Sequence, residues 1–259
     1  MKVEAAVAIV AILGLAFFAG FQANALAKPA APAPLAFIEA SPTPEPSVQL
    51  LEGETKIVSM HIPAVDKNDR GVLATLNVEA RRGSGKVYID YSQKAPLLGS
   101  ETQNSILTAV EVAKEITGMG LQNTNLYFSL STDAQEVGGS SAGASAAVAT
   151  ASLLSGRKIK KGVIMTGSVD ENGKIGRVGR ILEKARAAKK AGYTTFLVPP
   201  GESTVQIATE KCTERSVGNA LVKNCDTQFE EKSVEDEAGI RVIEVGEAKQ
   251  AFALATETI

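Results

Sequence analysis

The stretch "VGGSSAGASAAVATASLLSG", Val137 to Gly156, decides the reading of this chain. Five serines and one threonine interrupt a tract otherwise made of Ala, Gly, Val and Leu. A helix this rich in small residues can sink into a core, and Gly156 is placed to end it. A buried alanine-rich helix with a serine cap accounts for the alanines. It does not account for Gly138 and Gly139 standing together in front of two serines. Glycines there let another backbone approach closely, and the free N–H groups of a helix start favour developing negative charge. Ser140 and Ser141 are therefore candidate nucleophiles.

Working outward, the pattern alternates between strand and helix periods. Gly71–Ala80 and Gly85–Ser92 read as strands around an "RRGSG" turn, a hairpin. Ser100–Gly118 reads as a helix with Ser100 as its cap. Asn125–Ser131 reads as a strand. "GVIMTGSV" and "KIGRVG" flank an "ENG" turn, a second hairpin. "ILEKARAAKKAG" is a helix ending at Gly192, followed by a strand at Thr194–Pro200 and by a last strand and helix in "IRVIEV" and "EAKQAFALAT". Mixed elements without strict β-α-β alternation predict a single α+β domain.

Ile181, Ala185, Ala188 and Gly192 share one face of the helix at 181–192. Arg180, Glu183, Arg186, Lys189 and Lys190 fall on the others. Lys184 does not join them and projects close to the apolar face. A snorkelling lysine would keep its amine in water. A partly desolvated one would have a lowered pKa and act as a base. A lysine base needs a hydroxyl partner, and the Gly-Gly-Ser-Ser turn offers one.

Composition narrows the chemistry. The chain has 259 residues, 44% hydrophobic and 22% charged, with a net charge of −2. It can bury a full core, and no basic stripe points to nucleic acid. With one His and two Cys, a Ser-His-Asp triad would have to use His61, and a zinc site of the usual kind is nearly excluded. No metal and no cofactor are expected. "GSGK" at Gly83–Lys86 departs from a Walker loop, with Ala80 and Val87 where Gly and Ser or Thr belong. "DENG" at Asp170–Gly173 lacks calcium-loop spacing. Both read as turns.

Residues 1–27 read as a signal peptide or membrane anchor. Ala5 to Phe21 is 17 residues without a polar side chain, Lys2 precedes it, and Ala23, Ala25 and Ala27 follow. Residues 28–50 hold six of the ten prolines and read as an extended linker. The domain is expected at 51–259, outside the cytoplasm, tethered to the membrane through residues 5–21 or secreted.

"GSSAG" (Gly139–Gly143) and "MTGSVDENGKIGRVGRILEKARAAKKAG" (Met165–Gly192) resemble the proteolytic domain of Lon proteases, more weakly over about residues 55–200 and again near the end. The resemblance implies a Ser-Lys dyad with Ser141 as nucleophile and Lys184 as base, 43 residues apart. Thr166 matches the threonine that hydrogen-bonds the lysine there. Gly139 and Ser140 are supporting residues, Ser140 standing where that family commonly has a proline. The acidic residue that family carries before the nucleophile is missing. No ATPase module precedes the domain, so an ATP-independent serine endopeptidase acting on polypeptides is expected, with the substrate extended beside a strand edge. A homo-oligomer is compatible with the sequence. Residues 203–237 look inserted and hold both cysteines. Cys212 and Cys225 could close a disulfide worth ~3 kcal/mol in an exported domain. Two alternatives differ in class. One is a non-catalytic peptide-binding module. The other follows from the similarity of "GGSSAGASAA" to the phosphate loop of GHMP kinases, which share the same general fold.

Overall fold

The structure is a computed structural model that describes residues 46–89, 97–132 and 136–257. The leading apolar segment and most of the proline-rich linker lie outside these residues. In chain order the elements are β1 (Thr55–Val65), β2 (Gly71–Arg82), β3 (Val87–Ile89), β4 (Leu97–Leu98), α1 (Ser100–Thr117), β5 (Thr124–Ser131), β6 (Glu136–Val137) and α2 (Gly143–Ser155). Then follow β7 (Val163–Met165), β8 (Ser168–Val169), β9 (Ile175–Gly176), α3 (Ile181–Lys190), β10 (Thr195–Val198), β11 (Thr204–Val217), β12 (Ala220–Ser233), α4 (Val234–Ala238), β13 (Arg241–Glu244) and α5 (Ala248–Ala255). Sheets and helices mix as an α+β domain.

Two sheets carry the body. One is four-stranded, in the order β1-β2-β5-β3, and the other is parallel, in the order β13-β10-β7. Strand β2 alternates as a half-buried strand should, with Ala74, Leu76, Val78 and Ala80 inward. Helix α2 packs against the four-stranded sheet and two helices, with every residue from Gly143 to Leu154 buried. A helix of Ala, Ser and Val can be enclosed on all sides because its small side chains let α1, α5 and β1–β2 approach closely. Ser145 Oγ donates to the Met165 carbonyl at 3.2 Å, while Thr150 Oγ1 is buried with no partner among the described residues.

Several elements differ from the sequence reading. Strand β2 does not pair with the strand after the "RRGSG" turn. Its hairpin partner is β1, in antiparallel register, and β3 lies at the far side of β5, parallel to it. The turn crosses the start of β5 instead of folding back. The Asn125 side chain accepts from the amides of Ser84 and Lys86, and the Gly83 amide donates to the Asn123 carbonyl. The second hairpin exists, but only as β8–β9, while β7 pairs with β10. Gly99, not Ser100, occupies the cap position of α1. Gly192 lies past the end of α3 and is exposed.

Residues Pro46–Leu50, read as the end of the linker, already pack on the body. Val48 is buried and the Pro46 carbonyl accepts from the Gly120 amide. The inserted region is a long two-stranded arm, β11–β12, in which Cys212 and Cys225 stand directly opposite and are bonded. It closes at Ser233, because Val234 of α4 is fully buried and belongs to the body. Among the described residues, no helix is long and apolar enough to cross a membrane.

Candidate active site

The turn before α2 is shaped by what holds its carbonyls. Gly139 has φ +85°, a conformation that disfavours any side chain, and this sends the chain into the helix. Gly138 has no such requirement and open space around it. The Thr102 hydroxyl donates to the Gly139 carbonyl at 2.9 Å, and the Ser105 hydroxyl to the Ser140 carbonyl at 3.1 Å, both from α1. The Gly143 amide donates to the same Ser140 carbonyl at 3.0 Å. Ser140 thus serves the turn through its backbone, while the residue itself is exposed.

Ser141 is tied to the next layer. Its carbonyl accepts from the Gly167 amide at 3.0 Å and from the Thr166 hydroxyl at 3.3 Å. Thr166 follows β7 and is only 1% exposed. Its oxygen also accepts from Lys184 Nζ at 3.2 Å. Thr166 therefore links Ser141 and Lys184 through one hydroxyl. Because its proton is given to the Ser141 carbonyl, it meets the lysine as an acceptor.

Lys184 is 4% exposed, on the buried side of α3 with Ile181, Leu182, Ala185 and Ala188. Its amine does not snorkel. Burial pushes the Lys184 pKa down to about 8, although the Glu202 carboxylate pulls it upward. At the start of α3, Arg180 has φ 59° and pairs with Asp69, whose φ is 60°. This pair clamps the β1–β2 turn to the helix that carries the lysine. Two left-handed non-glycine residues in contact beside a cleft are strain held in place by the surrounding fold.

Ser140, Ser141 and Lys184 line one cleft of about 360 Å³, together with Gly138, Gly139, Glu101 and the loop at 177–180. Residues Ile62–Val65 of β1, an edge strand of its sheet, also line it. His61 points elsewhere: it is exposed, and its Nδ1 lies 2.7 Å from the Tyr193 hydroxyl. Cys212 and Cys225 lie on the arm. With Glu210 they form a cluster of ligand-type side chains, but both sulfurs are consumed in the disulfide.

Sequence reasoning missed Thr102, Ser105 and Glu202. The first two are polar residues of an amphipathic helix with no signal that marks them. Glu202 sits in a Pro-Pro-Gly-Glu turn, where a glutamate ordinarily faces water. It is 5% exposed instead.

Comparison with known proteins gives the family. The model of the Lon protease (S16) C-terminal proteolytic domain matches residues 74–224, more than half of the chain. A Lon protease 2 from Syntrophobacter fumaroxidans is 32% identical over 130 residues, 50% of this chain and 16% of that protein. The Lon protease of Desulfosudis oleivorans is 48% identical over 61 residues, 24% of this chain and 8% of that protein. An archaeal Lon protease from Thermoplasma volcanium is 31% identical over 102 residues, 39% of this chain and 16% of that protein. The chain thus spans a small fraction of the length of the curated relatives it matches. What it shares with them is the proteolytic part, and by that match the chain belongs to the Lon protease C-terminal proteolytic domain family.

Proposed function

We propose that this domain is a serine endopeptidase that hydrolyses polypeptides with a Ser141–Lys184 dyad. One observation carries the reading: the Thr166 hydroxyl that donates to the backbone carbonyl of cleft-lining Ser141 also accepts from the buried Lys184 amine, whose pKa is lowered. Neutral Lys184 takes the proton from Ser141 Oγ as that oxygen attacks the scissile carbonyl, giving an acyl-enzyme. The charged lysine then donates the proton to the leaving amine, and water releases the acid. The Gly143 and Ala144 amides are already committed, to the carbonyls of Ser140 and Gly167. The amides of Ser141 and Ala142 are the ones suited to receive the oxyanion. An extended substrate would lie along the cleft-facing side of β1, adding a strand at its edge.

The same committed amides disfavour a phosphate loop, because a bound phosphate would need them free. We read the reaction as needing no ATP, and the disulfide arm as fitting an exported domain, membrane-tethered or secreted. The test is labelling with a fluorophosphonate or peptidyl boronate, with the modified residue mapped. Modification of Ser141, absent in Lys184→Ala, is expected. Labelling at Ser140 would refute the assignment, and an ATP-stimulated rate would refute the energy source.

A further inference from the structure

Glu202 is a buried acid that the dyad does not use. It is 5% exposed, in the loop between β10 and β11. The loop is fastened from β13: Glu244 accepts from the Ser203 backbone amide at 3.1 Å and from the Ser203 hydroxyl at 2.6 Å. The Glu202 amide itself donates to the Pro199 carbonyl at 3.2 Å. The loop so held carries Glu202 under the segment 177–180. There its Oε1 accepts from the Val178 amide at 3.0 Å and from Arg177 Nε at 3.4 Å. Its Oε2 is buried and has no partner among the described residues.

Glu202 lines a second cavity, of about 400 Å³, at the base of the arm. Arg177, Val178 and Arg180 line both cavities, so segment 177–180 is the wall between Glu202 and the cleft of Ser141 and Lys184. The charged groups facing these cavities are Glu101, Arg177, Arg180, Lys184 and Glu202. Arg180 is paired with Asp69, and the Arg177 side chain is 75% exposed. Glu202 is the acid whose charge acts on Lys184, and it opposes the effect of burial.

We propose that Glu202 is the positioning residue of the site. It holds the cleft wall through Val178, and its charge stabilises the ammonium that Lys184 becomes on accepting the Ser141 proton. This inference rests on the dyad reading. The proton moves from Ser141 Oγ to Lys184 Nζ and on to the leaving amine; Glu202 exchanges none. Burial alone would favour a neutral base but leave the charged intermediate unsupported in an apolar site. A fixed carboxylate nearby offsets part of that cost at the step where charge appears.

The test is Glu202→Gln, which keeps an acceptor for the Val178 amide and removes the charge. The plateau kcat is expected to fall about tenfold with KM little changed, and the acid limb of the rate profile to move to lower pH. A 13Cε titration of Lys184 in the Ser141→Ala background reads the same shift without activity. An unmoved limb together with an unmoved titration overturns the proposal. Should Glu202→Gln fail to fold, Glu202→Asp retracts the charge by one methylene. The limb should then move the same way by less, and an unmoved limb again refutes the role. Ser141→Ala run in the same peptidase assay separates the two readings. If it stays active, the dyad is wrong; if it is dead while Glu202→Gln matches wild type, only Glu202 is dismissed.

Discussion

On the proposed dyad, Lys184 carries a conflict between stability and function. Its folded pKa of about 8 lies below the ordinary value of 10.5. Below pH 8 both folded and unfolded chains hold the proton, and the fold bears the full cost of a buried charge. Between the two values only the unfolded chain binds it, so stability rises with pH across that window. Lys184→Met should therefore be inactive yet more stable at pH 7, by up to about 3 kcal/mol, with the gain vanishing above pH 10.5. Denaturant melts at pH 7 and pH 11 check this. On the proposed dyad, the same lowered pKa is expected to set the activity profile. The rate should climb through about pH 8 and then level off. A profile centred near 6.5 and lost in His61→Ala would instead mean a histidine base. Thr166→Val removes the hydroxyl shared by Ser141 and Lys184 while keeping the shape. We expect the rate to fall about tenfold or more with the fold retained. Ser140→Ala should keep most activity, because the Ser140 contacts that build the turn are made by its carbonyl.

At the scale of elements, the arm stands apart from the rest. An isolated two-stranded hairpin is marginal in water, and no residue from Ile207 to Glu230 is buried. The Cys212–Cys225 bond joins the strands midway and limits fraying beyond it. Reduction, or Cys225→Ser, should therefore speed amide exchange in residues 213–224 while α2 and β2 stay protected. Equal exchange before and after reduction would show that the bond does not hold the tip. By contrast, α2 is the most enclosed element. The turn before it is tied to the residues after β7 through the Ser141 carbonyl, and its last turn is tied to the following loop by the Ser152 hydroxyl, which donates to the Arg157 carbonyl. A bulky substitution at Ala146 or Ala149, both fully buried, should cost about 1–3 kcal/mol.

At the scale of the whole molecule, the body and the arm are separable. The core runs from Val48 to Ala255 and draws no buried side chain from the arm. Replacing Ile207–Glu230 by Asn-Gly, between the paired positions Gln206 and Glu231, should shift Tm by no more than about 4 °C. A larger loss, seen in a thermal melt, would mean that the arm braces the body. The candidate site draws on five places in the chain: α1 holds the turn, the turn carries Ser141, the residue after β7 is Thr166, α3 carries Lys184, and the β10–β11 loop holds Glu202 against the wall at Val178.

Much of this was legible in the residues alone. The helical period and the small side chains of 143–155 dictate an enclosed helix wherever it packs. The 3.6-residue period around Lys184 dictates which side of α3 the lysine takes. The run "MTG" through "AAKKAG" and the serine turn identify the family. These properties are local, because they depend on backbone geometry and on side-chain size. Strand pairing is not local. The "RRGSG" turn looked like a hairpin, but Asn125, some forty residues further along, captures its amides and sends β3 past β5. Nor is the state of a hydroxyl proton local. The match to Thr166 was legible, but that it donates to Ser141 and accepts from Lys184 depends on three segments meeting. Glu202 is the clearest case. A glutamate in a glycine-proline turn is solvated by default. The loop held through Ser203 and Glu244, and the Val178 amide at the wall of 177–180, are contacts that only the tertiary structure makes, and they leave Glu202 buried.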